Sequence, residues 1–255
     1  MTLPRISVVT PSFNQGRYLE ATIRSVLDQD YPNVEYLVMD GGSTDGSVDI
    51  IHRYADRLTY WISEPDGGQS AGVAKGFRRA TGDVLAWLNS DDILLPGALS
   101  AVARAFAANP WADFIYGARR IIDEGGRVIG SYHPPTLLHR YYFTFGQWIP
   151  QECAFWRREL YHRVGGLDES MWFSLDFSLF VRMWSLGKFK KIDFELGALR
   201  SHAASKTSNH GDIMVREGEA IRRANGIPQL HSRLAYRVGE RIILFQAAIE
   251  NWFHR

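Results

Sequence analysis

The chain has 255 residues, of which 45% are hydrophobic and 22% charged, and its formal net charge at pH 7 is +1. This composition argues against disorder and suffices for one large domain with an extended core. A near-neutral chain gives no indication of nucleic-acid binding. The single cysteine, Cys153, excludes an intrachain disulfide and is typical of a reducing compartment. Because no signal peptide or membrane-spanning run is visible, we expect a cytoplasmic protein.

Strand and helix patterns alternate along the first part of the chain. Short apolar runs predict strands at residues 6–10, 35–40, 58–63 and 83–88. Apolar residues at helical spacing predict helices between them, at residues 18–28, 48–54 and 70–80. This alternation predicts an α/β fold whose mostly parallel sheet is covered by helices on both faces.

The alternation is lost after a further strand predicted at residues 113–116. A hairpin is expected around Glu124, Gly125 and Gly126, and the next segments mix short helices at 159–164 and 177–185 with extended pieces at 190–193 and 196–200. The later sheet is therefore expected to be mixed, and a helical tail is expected from residue 209.

Polar residues follow each of the first four predicted strands. They are Thr10, Asp40, the loop 64–69, and the pair Asp91 and Asp92. Ligands bind beyond the carboxyl ends of the strands in sheets of this kind. We therefore expect these residues to share one rim.

The segment WLNSDDILLP places Asp91 and Asp92 directly after a buried strand. Carboxylate oxygens suit Mg²⁺ or Mn²⁺, and such sites often complete their shell with substrate phosphates. The same pair could instead end the strand and cap a helix opened by Pro96. Both interpretations are open from these residues alone.

Four segments occur together in a characteristic order. They read ISVVTPSFNQGRYLEATIRSVLDQDYPNVEYLVMDGGSTDGS, SEPDGGQSAGVAKG, ATGDVLAWLNSDDILLPGAL and VGGLDESMWFSLDFSLFVRMWSLG. In these segments the chain resembles the inverting glycosyltransferases of family 2. The resemblance implies the GT-A fold, a Rossmann-like mixed, mostly parallel sheet flanked by helices. It further implies a transferase domain at 1–208, divided into a nucleotide-sugar half (1–117) and an acceptor half (118–208), with a helical C-terminal extension at 209–255.

The resemblance also implies roles for the rim residues. Asp92 is expected to bind the metal, while Asp91 contacts the donor sugar or ribose. The remaining donor-site residues implied in this way are Thr10, Pro11, Ser12, Asp40, Asp66 and Lys75. His202 matches a late position whose imidazole approaches the metal or the diphosphate, although a lone His in a polar loop could be an ordinary surface residue.

Asp176 is the expected general base, which removes the proton of the attacking acceptor hydroxyl. Burial among Trp172, Phe173 and Phe177 would make its carboxylate a stronger base. It could alternatively cap the following helix, and Asp168 is a rival for the role. Where many relatives have two acids, this chain has Leu175 before Asp176.

The implied reaction is non-processive transfer of a sugar from a nucleoside-diphosphate sugar, with a UDP-sugar preferred, to a saccharide or lipid-linked saccharide. Mn²⁺ or Mg²⁺ would assist the departure of the diphosphate. Two other functions are possible: a nucleotidyltransferase, or a catalytically silent saccharide-binding or assembly subunit.

The C-terminal extension has an apolar stripe at helical spacing. It comprises Leu234, Val238, Ile242, Phe245 and Ile249, with arginines beside it. The stripe could pack on the domain, form a dimer, or lie on an anionic membrane at the inner face of the cell membrane.

Overall fold

The computed structural model describes residues 3–136, 140–206, 210–229, 237–239, 241–245 and 247. The strands are β1 (Ile6–Ser12), β2 (Val34–Asp40), β3 (Tyr60–Ser63), β4 (Val84–Trp87), β5 (Ile93–Leu94), β6 (Phe114–Ile122), β7 (Val128–Tyr132), β8 (Ala154–Arg157) and β9 (Phe189–Arg200). The helices are α1 (Gly16–Leu27), α2 (Ser47–Tyr54), α3 (Gln69–Arg79), α4 (Ala98–Ala108), α5 (Arg158–Arg163), α6 (Leu175–Leu186) and α7 (Gly211–Ala224). Short 3-10 turns include Ala55–Arg57, Arg140–Thr144 and Gln151–Cys153.

One mixed sheet runs through the domain in the order β3-β2-β1-β4-β8-β6-β9-β5, and β7 forms a hairpin with β6. The first four strands in that order are parallel, whereas β8 is antiparallel to both of its neighbours. The expected mostly parallel α/β architecture is confirmed. In register, Asp40 lies beside Ser12 on one side and Ser63 on the other, so the carboxyl ends of β1, β2 and β3 meet at one edge.

Helices cover both faces of the sheet because successive strand residues point to opposite sides. Val8 packs in one buried cluster with Leu19 of α1, and Val9 packs in the other with Phe77 of α3. The approach of α3 to β1 is close. A Cβ on Gly76 would lie 2.3 Å from a methyl carbon of Val9, so a larger residue there would push the helix away.

Three local expectations differ from the structure. The extended pieces predicted at 190–193 and 196–200 form one strand, β9. Helix α4 begins at Ala98, after Gly97 at φ 78°, and not at Pro96. Ser174 is the N-cap of α6, which places Asp176 inside the first turn of that helix; the capping interpretation of Asp176 is therefore wrong.

The described part of the extension is mostly helical, with α7 followed by a turn and by helical residues at 237–239 and 241–245. Ile221 and Ile227 are buried in the core cluster that also contains residues of α6. Of the predicted apolar stripe, Val238, Ile242 and Phe245 are exposed, while Leu234 and Ile249 lie outside the described residues. In the described part of the chain, no helix has the length and apolarity to cross a membrane.

Candidate active site

The loop after β4 presents the acidic pair, and two distant elements hold it. The Thr22 hydroxyl of α1 donates hydrogen bonds to the backbone oxygens of Ser90 and Asp92, at 2.9 and 2.7 Å. At the end of β9, Arg200 donates from its backbone N–H to Asp92 Oδ1 (2.9 Å) and from Nε to the Asp91 backbone oxygen (2.9 Å). These contacts hold the backbone of the pair, and the Arg200 N–H also holds the Asp92 carboxylate.

His202, two residues beyond β9, is almost fully buried against the pair. Its Nε2 lies 2.9 Å from Asp91 Oδ2, and its ring centroid is 5.0 Å from that of Tyr18. His202 is therefore a site residue by position and not an ordinary surface histidine. The carboxylate that its Nε2 contacts is that of Asp91.

Asp92 is buried in a strongly negative environment. Its exposed fraction is 2%, and burial, followed by the charges of Asp91 and Glu152, raises the pKa of its carboxyl well above the usual range. Glu152 lies in the 3-10 turn before β8, where burial also raises its pKa. Arg119 Nη1 is 3.6 Å from Glu152 Oε1. Burial and the neighbouring acids therefore disfavour the charged form of Asp92 when no cation is bound.

A divalent cation fits this arrangement. Carboxylate oxygens and one imidazole nitrogen suit Mn²⁺, and a cation would relieve the repulsion between the buried carboxylates. Among the residues that the structure describes, no three His, Cys, Asp or Glu side chains converge to hold a metal by themselves. A bound cation would thus take further ligands from a substrate's phosphates, as Mg²⁺ and Mn²⁺ commonly do.

Asp176 faces the same region from the first turn of α6. Its Oδ1 accepts a hydrogen bond from the backbone N–H of Phe177 (2.8 Å), and Gln147 Nε2 lies 3.4 Å from its Oδ2. Burial raises the pKa of its carboxyl, which makes the carboxylate more basic. The rival Asp168 instead accepts hydrogen bonds from the backbone N–H and hydroxyl of Ser170 in its own turn.

A cavity of about 1080 Å³ joins these carboxylates. Asp92, Glu152 and Asp176 line it together with Met214, Val215 and Gly218 of α7. Pockets for whole drug-sized ligands are of about 300–1,000 Å³. The cavity therefore has the volume of a substrate-binding pocket.

The first-strand residues lie on β1, which pairs with β4. Thr10 is fully buried and shares a 3.0 Å hydrogen bond with the hydroxyl of Tyr36. The Asp40 carboxylate accepts hydrogen bonds from the backbone N–H groups of Gly42 and Ser43 and from the hydroxyls of Ser43 and Ser63. Asp40 thereby shapes the loop after β2 as well as bordering the rim.

Asp66 and Pro11 approach one another over Gly72 of α3. A Cβ at Gly72 would lie 3.1 Å from Asp66 Oδ2 and 3.7 Å from the Pro11 Cβ, so glycine leaves room for both. The Ser12 hydroxyl is buried and makes no hydrogen bond within the described residues. Lys75 forms an ion pair with Glu64.

Sequence reasoning missed a polar chain across the mouth of the site. Lys206 Nζ donates a hydrogen bond to Gln69 Oε1 (2.8 Å), and Gln69 Nε2 donates one to Asn89 Oδ1 (2.8 Å). Asn89 Nδ2 in turn lies 3.1 Å from Gln151 Oε1 and 3.4 Å from Asp92 Oδ2. Burial lowers the pKa of Lys206. These residues come from four separate segments, so no local pattern signals their association.

The loop before Asp176 is held by Glu217, a residue far from it in the sequence. Glu217 of α7 accepts hydrogen bonds from the backbone N–H groups of Trp172 (2.9 Å), Phe173 (3.0 Å) and Ser174 (2.6 Å). Lys206 also lies 4.5 Å from the centre of the Trp172 ring. Arg200 and Glu217 have no motif of their own, and their roles are visible only after folding.

Comparison with known proteins identifies the family. The profile of Glycosyl transferase family 2 matches residues 7–163, more than half of the chain. The chain belongs to glycosyltransferase family 2. An uncharacterized glycosyltransferase of Nostoc is 29% identical over 222 residues, which are 79% of this chain and 66% of the relative. Chondroitin synthase of Pasteurella multocida is 24% identical over 193 residues, 75% of this chain and 20% of the synthase. This family 2 chain thus spans about two thirds or less of the length of these relatives.

Solved structures of similar fold include two with nucleotide sugars. The structure of S. aureus TarS 1–349 in complex with UDP-GlcNAc gives a TM-score of 0.68 at 18% identity. The alignment covers 85% of this chain and 66% of the TarS chain. The mannosyltransferase PcManGT of Pyrobaculum calidifontis, in complex with GDP-Man and Mn²⁺, gives a TM-score of 0.64 at 19% identity. This alignment covers 98% of this chain and 74% of the PcManGT chain. The family 2 chain therefore has the GT-A fold expected from its sequence.

Proposed function

We propose that this family 2 chain is an inverting glycosyltransferase that moves a sugar from a nucleoside-diphosphate sugar to a saccharide or lipid-linked saccharide. One observation carries the proposal: the buried Asp92 and the candidate base Asp176 line a single cavity with the volume of a substrate-binding pocket. These two carboxylates match the two needs of the reaction, which are to stabilise the leaving diphosphate and to activate the attacking hydroxyl.

Asp92 and His202 are proposed as the residues that hold the metal, and Asp91 as the residue that orients the donor sugar or ribose. When bound, Mn²⁺ or Mg²⁺ would supply positive charge to the departing diphosphate. The contacts of Arg200 support this assignment, because they hold the Asp92 carboxylate and the backbone of Asp91 in place. The neighbour that contains GDP-Man and Mn²⁺ supports a metal-bound nucleotide sugar in this fold.

Asp176 is proposed as the base of a single displacement. The acceptor oxygen forms a bond to the anomeric carbon while the bond from that carbon to the phosphate oxygen breaks. The electron pair leaves with the diphosphate, and the acceptor's hydroxyl proton passes to an Asp176 carboxylate oxygen. Attack from the face opposite the diphosphate inverts the configuration. The raised pKa of Asp176 supports this role, because it brings the carboxylate closer to the basicity that proton abstraction needs.

The nucleoside is proposed to lie along the carboxyl ends of β1 and β2. Thr10, Pro11 and Ser12 would border it, while Asp40 and Asp66 would contact the base or ribose and Lys75 the phosphates. The unpaired Ser12 hydroxyl supports a ligand here. A UDP-sugar is the proposed donor.

The acceptor is proposed to bind in the same cavity. The division into a donor half at 1–117, an acceptor half at 118–208 and an extension from 209 is retained in this proposal. Met214, Val215 and Gly218 of the extension line the cavity, which supports a contribution of α7 to acceptor binding.

The test is turnover with a panel of UDP- and GDP-sugars, Mn²⁺ and saccharide acceptors, measured as released nucleoside diphosphate together with the anomeric configuration of the product. Release of nucleoside diphosphate and an inverted linkage are expected. Formation of a nucleotide sugar from a nucleoside triphosphate and a sugar phosphate would instead identify a nucleotidyltransferase. Saccharide binding without turnover of any donor would identify a silent subunit.

A further inference from the structure

Four polar atoms that are buried and lack a hydrogen-bond partner in the described residues belong to residues that line the same cavity. They are Arg119 Nε, Thr144 Oγ1, Gln147 Oε1 and Glu152 Oε1. Most buried polar atoms in folded proteins are hydrogen-bonded, because an unmet bond away from water costs free energy. A concentration of unmet donors and acceptors along one cavity therefore indicates a ligand rich in hydroxyl groups.

Arg119 and Glu152 are the charged members of this group. The Glu152 side chain is 2% exposed, and its Oε1 is 3.6 Å from Arg119 Nη1, so the two charges attract without a close hydrogen bond. The Arg119 guanidinium lies 5.4 Å from the centre of the Tyr132 ring, which helps to fix its plane. The unpaired Oε1 can accept a hydrogen bond, and the unpaired Nε of Arg119 can donate one.

Arg119 as a hydrogen-bond donor and Glu152 as a hydrogen-bond acceptor together match two adjacent hydroxyls of a sugar ring. One hydroxyl can donate to the carboxylate while its neighbour accepts from the guanidinium. Such matching gives strong selectivity, because a sugar that lacks or inverts one hydroxyl leaves a buried charged group without a partner.

The pair also lies where a reacting sugar must be. Glu152 is close enough to Asp92 for its charge to affect that carboxyl, and Gln147 bridges from the same group of unpaired atoms to Asp176 at 3.4 Å. A ring bound here would have the metal-side carboxylate on one side and the base on the other.

We propose that Arg119, Thr144, Gln147 and Glu152 form a subsite for adjacent hydroxyls of a pyranose ring, with Arg119 and Glu152 as its specificity-determining pair. The inference rests on the proposed transferase function. Two rings meet in this reaction, the transferred sugar and the terminal sugar of the acceptor, and both offer this chemistry.

The test uses the double variant Arg119→Met/Glu152→Leu, which removes both charges together and so leaves no unpaired ion. Its matched control is Arg120→Met/Glu195→Leu, which removes the adjacent, more exposed ion pair between β6 and β9, whose Arg120 Nε and Glu195 Oε2 are 2.7 Å apart. Calorimetric titration with UDP and with UDP-glucose, each with Mn²⁺, reports on the donor. The acceptor KM reports on the other ring.

The subsite variant is expected to bind UDP with an affinity within about twofold of the wild type. It should either weaken the binding of UDP-glucose or raise the acceptor KM by at least about tenfold. Loss of the added affinity of UDP-glucose over UDP would assign the subsite to the transferred sugar. A raised acceptor KM with unchanged donor affinity would assign it to the acceptor. Unchanged values in both, or equal losses in the control variant, would overturn the subsite.

The two proposals fail differently. If the wild type transfers sugar and the subsite variant behaves like it, the subsite is wrong and the transferase function stands. If the wild type binds neither UDP nor UDP-glucose and turns over no donor, the transferase function fails and the subsite fails with it.

Discussion

Glu217 accepts a 2.6 Å hydrogen bond from the backbone N–H of Ser174, the residue that caps the helix of Asp176. The same carboxylate accepts from the two preceding N–H groups. Three amides are thus satisfied by one charge from the C-terminal extension. The direction of the candidate base depends on a residue 41 positions further along the chain, since the separation of Asp176 from Glu217 is 217 − 176 = 41.

Replacing Glu217 with Ala is expected to lower kcat at least about tenfold while leaving the KM for the donor within about twofold, because small misplacement of a reacting group is costly. The unfolding free energy should fall by about 1–3 kcal/mol as three amides lose their acceptor. Steady-state kinetics and denaturant unfolding measure the two effects. Glu217→Gln, which keeps one oxygen, should recover part of kcat.

The control lies on the same helix. Asp212 forms an exposed ion pair with Arg216 at 3.3 Å, so Asp212→Ala should change neither quantity appreciably. Equal effects of the Glu217 and Asp212 variants would show that the helix contributes only general stability.

The base assignment predicts a clear difference between two acids. Asp176→Asn should reduce kcat by about 10²–10⁴-fold with UDP binding retained, because a general base contributes a factor of that size. Asp168→Asn should retain most activity, since that side chain bonds within its own turn. The opposite pattern in the same assay would transfer the role to Asp168.

The pH dependence follows from the direction of the Asp176 pKa. Burial raises it, and the base acts only when deprotonated, so kcat should rise with pH through an apparent pKa above the usual value of about 4. A kcat profile measured from about pH 4.5 to 8 checks this expectation. A flat acidic limb in the wild type would contradict proton abstraction by a buried carboxylate.

Metal binding should be linked to stability at Asp92. Its folded pKa is raised, so its stabilising contribution is complete below the unfolded pKa of about 4 and is lost as pH rises through the folded pKa. A cation that binds the deprotonated carboxylate reverses that loss. At about 100 times its Kd, Mn²⁺ would add about 2.7 kcal/mol, or very roughly 5–10 °C in Tm. The increase should be larger near pH 7.5 than near pH 5.

Asp92→Asn should abolish most of this thermal shift. It should also weaken UDP binding in the presence of Mn²⁺ but leave binding without metal nearly unchanged. A thermal shift of the same size in this variant would place the cation elsewhere.

Much of the fold was predictable from the sequence because it follows local periodicity. The first four strands and the helices between them lie within a few residues of their expected positions, and the strand-end rule brought Asp40 and the pair after β4 to one edge. Arg200 and Glu217 were not predictable. Their importance arises from backbone groups that they satisfy across the fold, and a single sequence contains no periodic or motif signal for such contacts.

The exposed face of the extension predicts peripheral membrane contact. Val238, Ile242 and Phe245 are each at least half exposed, and Arg237 and Arg241 lie beside them in the sequence. An apolar face with flanking arginines favours an anionic bilayer surface. The protein should therefore float with vesicles containing phosphatidylserine and not with phosphatidylcholine alone.

Val238→Ser/Ile242→Ser/Phe245→Ser should release the protein from the vesicles without loss of activity on a water-soluble acceptor. The buried neighbour Ile243 is left intact in this variant to preserve folding. If the triple variant leaves flotation unchanged but converts a dimer to a monomer in sedimentation, the face is a subunit interface.

Arg200 lies at the end of β9, so the contacts that hold the acidic pair form only after β9 has joined the sheet. During synthesis Asp91 and Asp92 emerge early, yet Arg200 follows them by more than a hundred residues and enters the sheet between β6 and β5. A chain that ends before β9 lacks these contacts, so its Asp92 carboxylate is expected to become oriented only once β9 has been inserted.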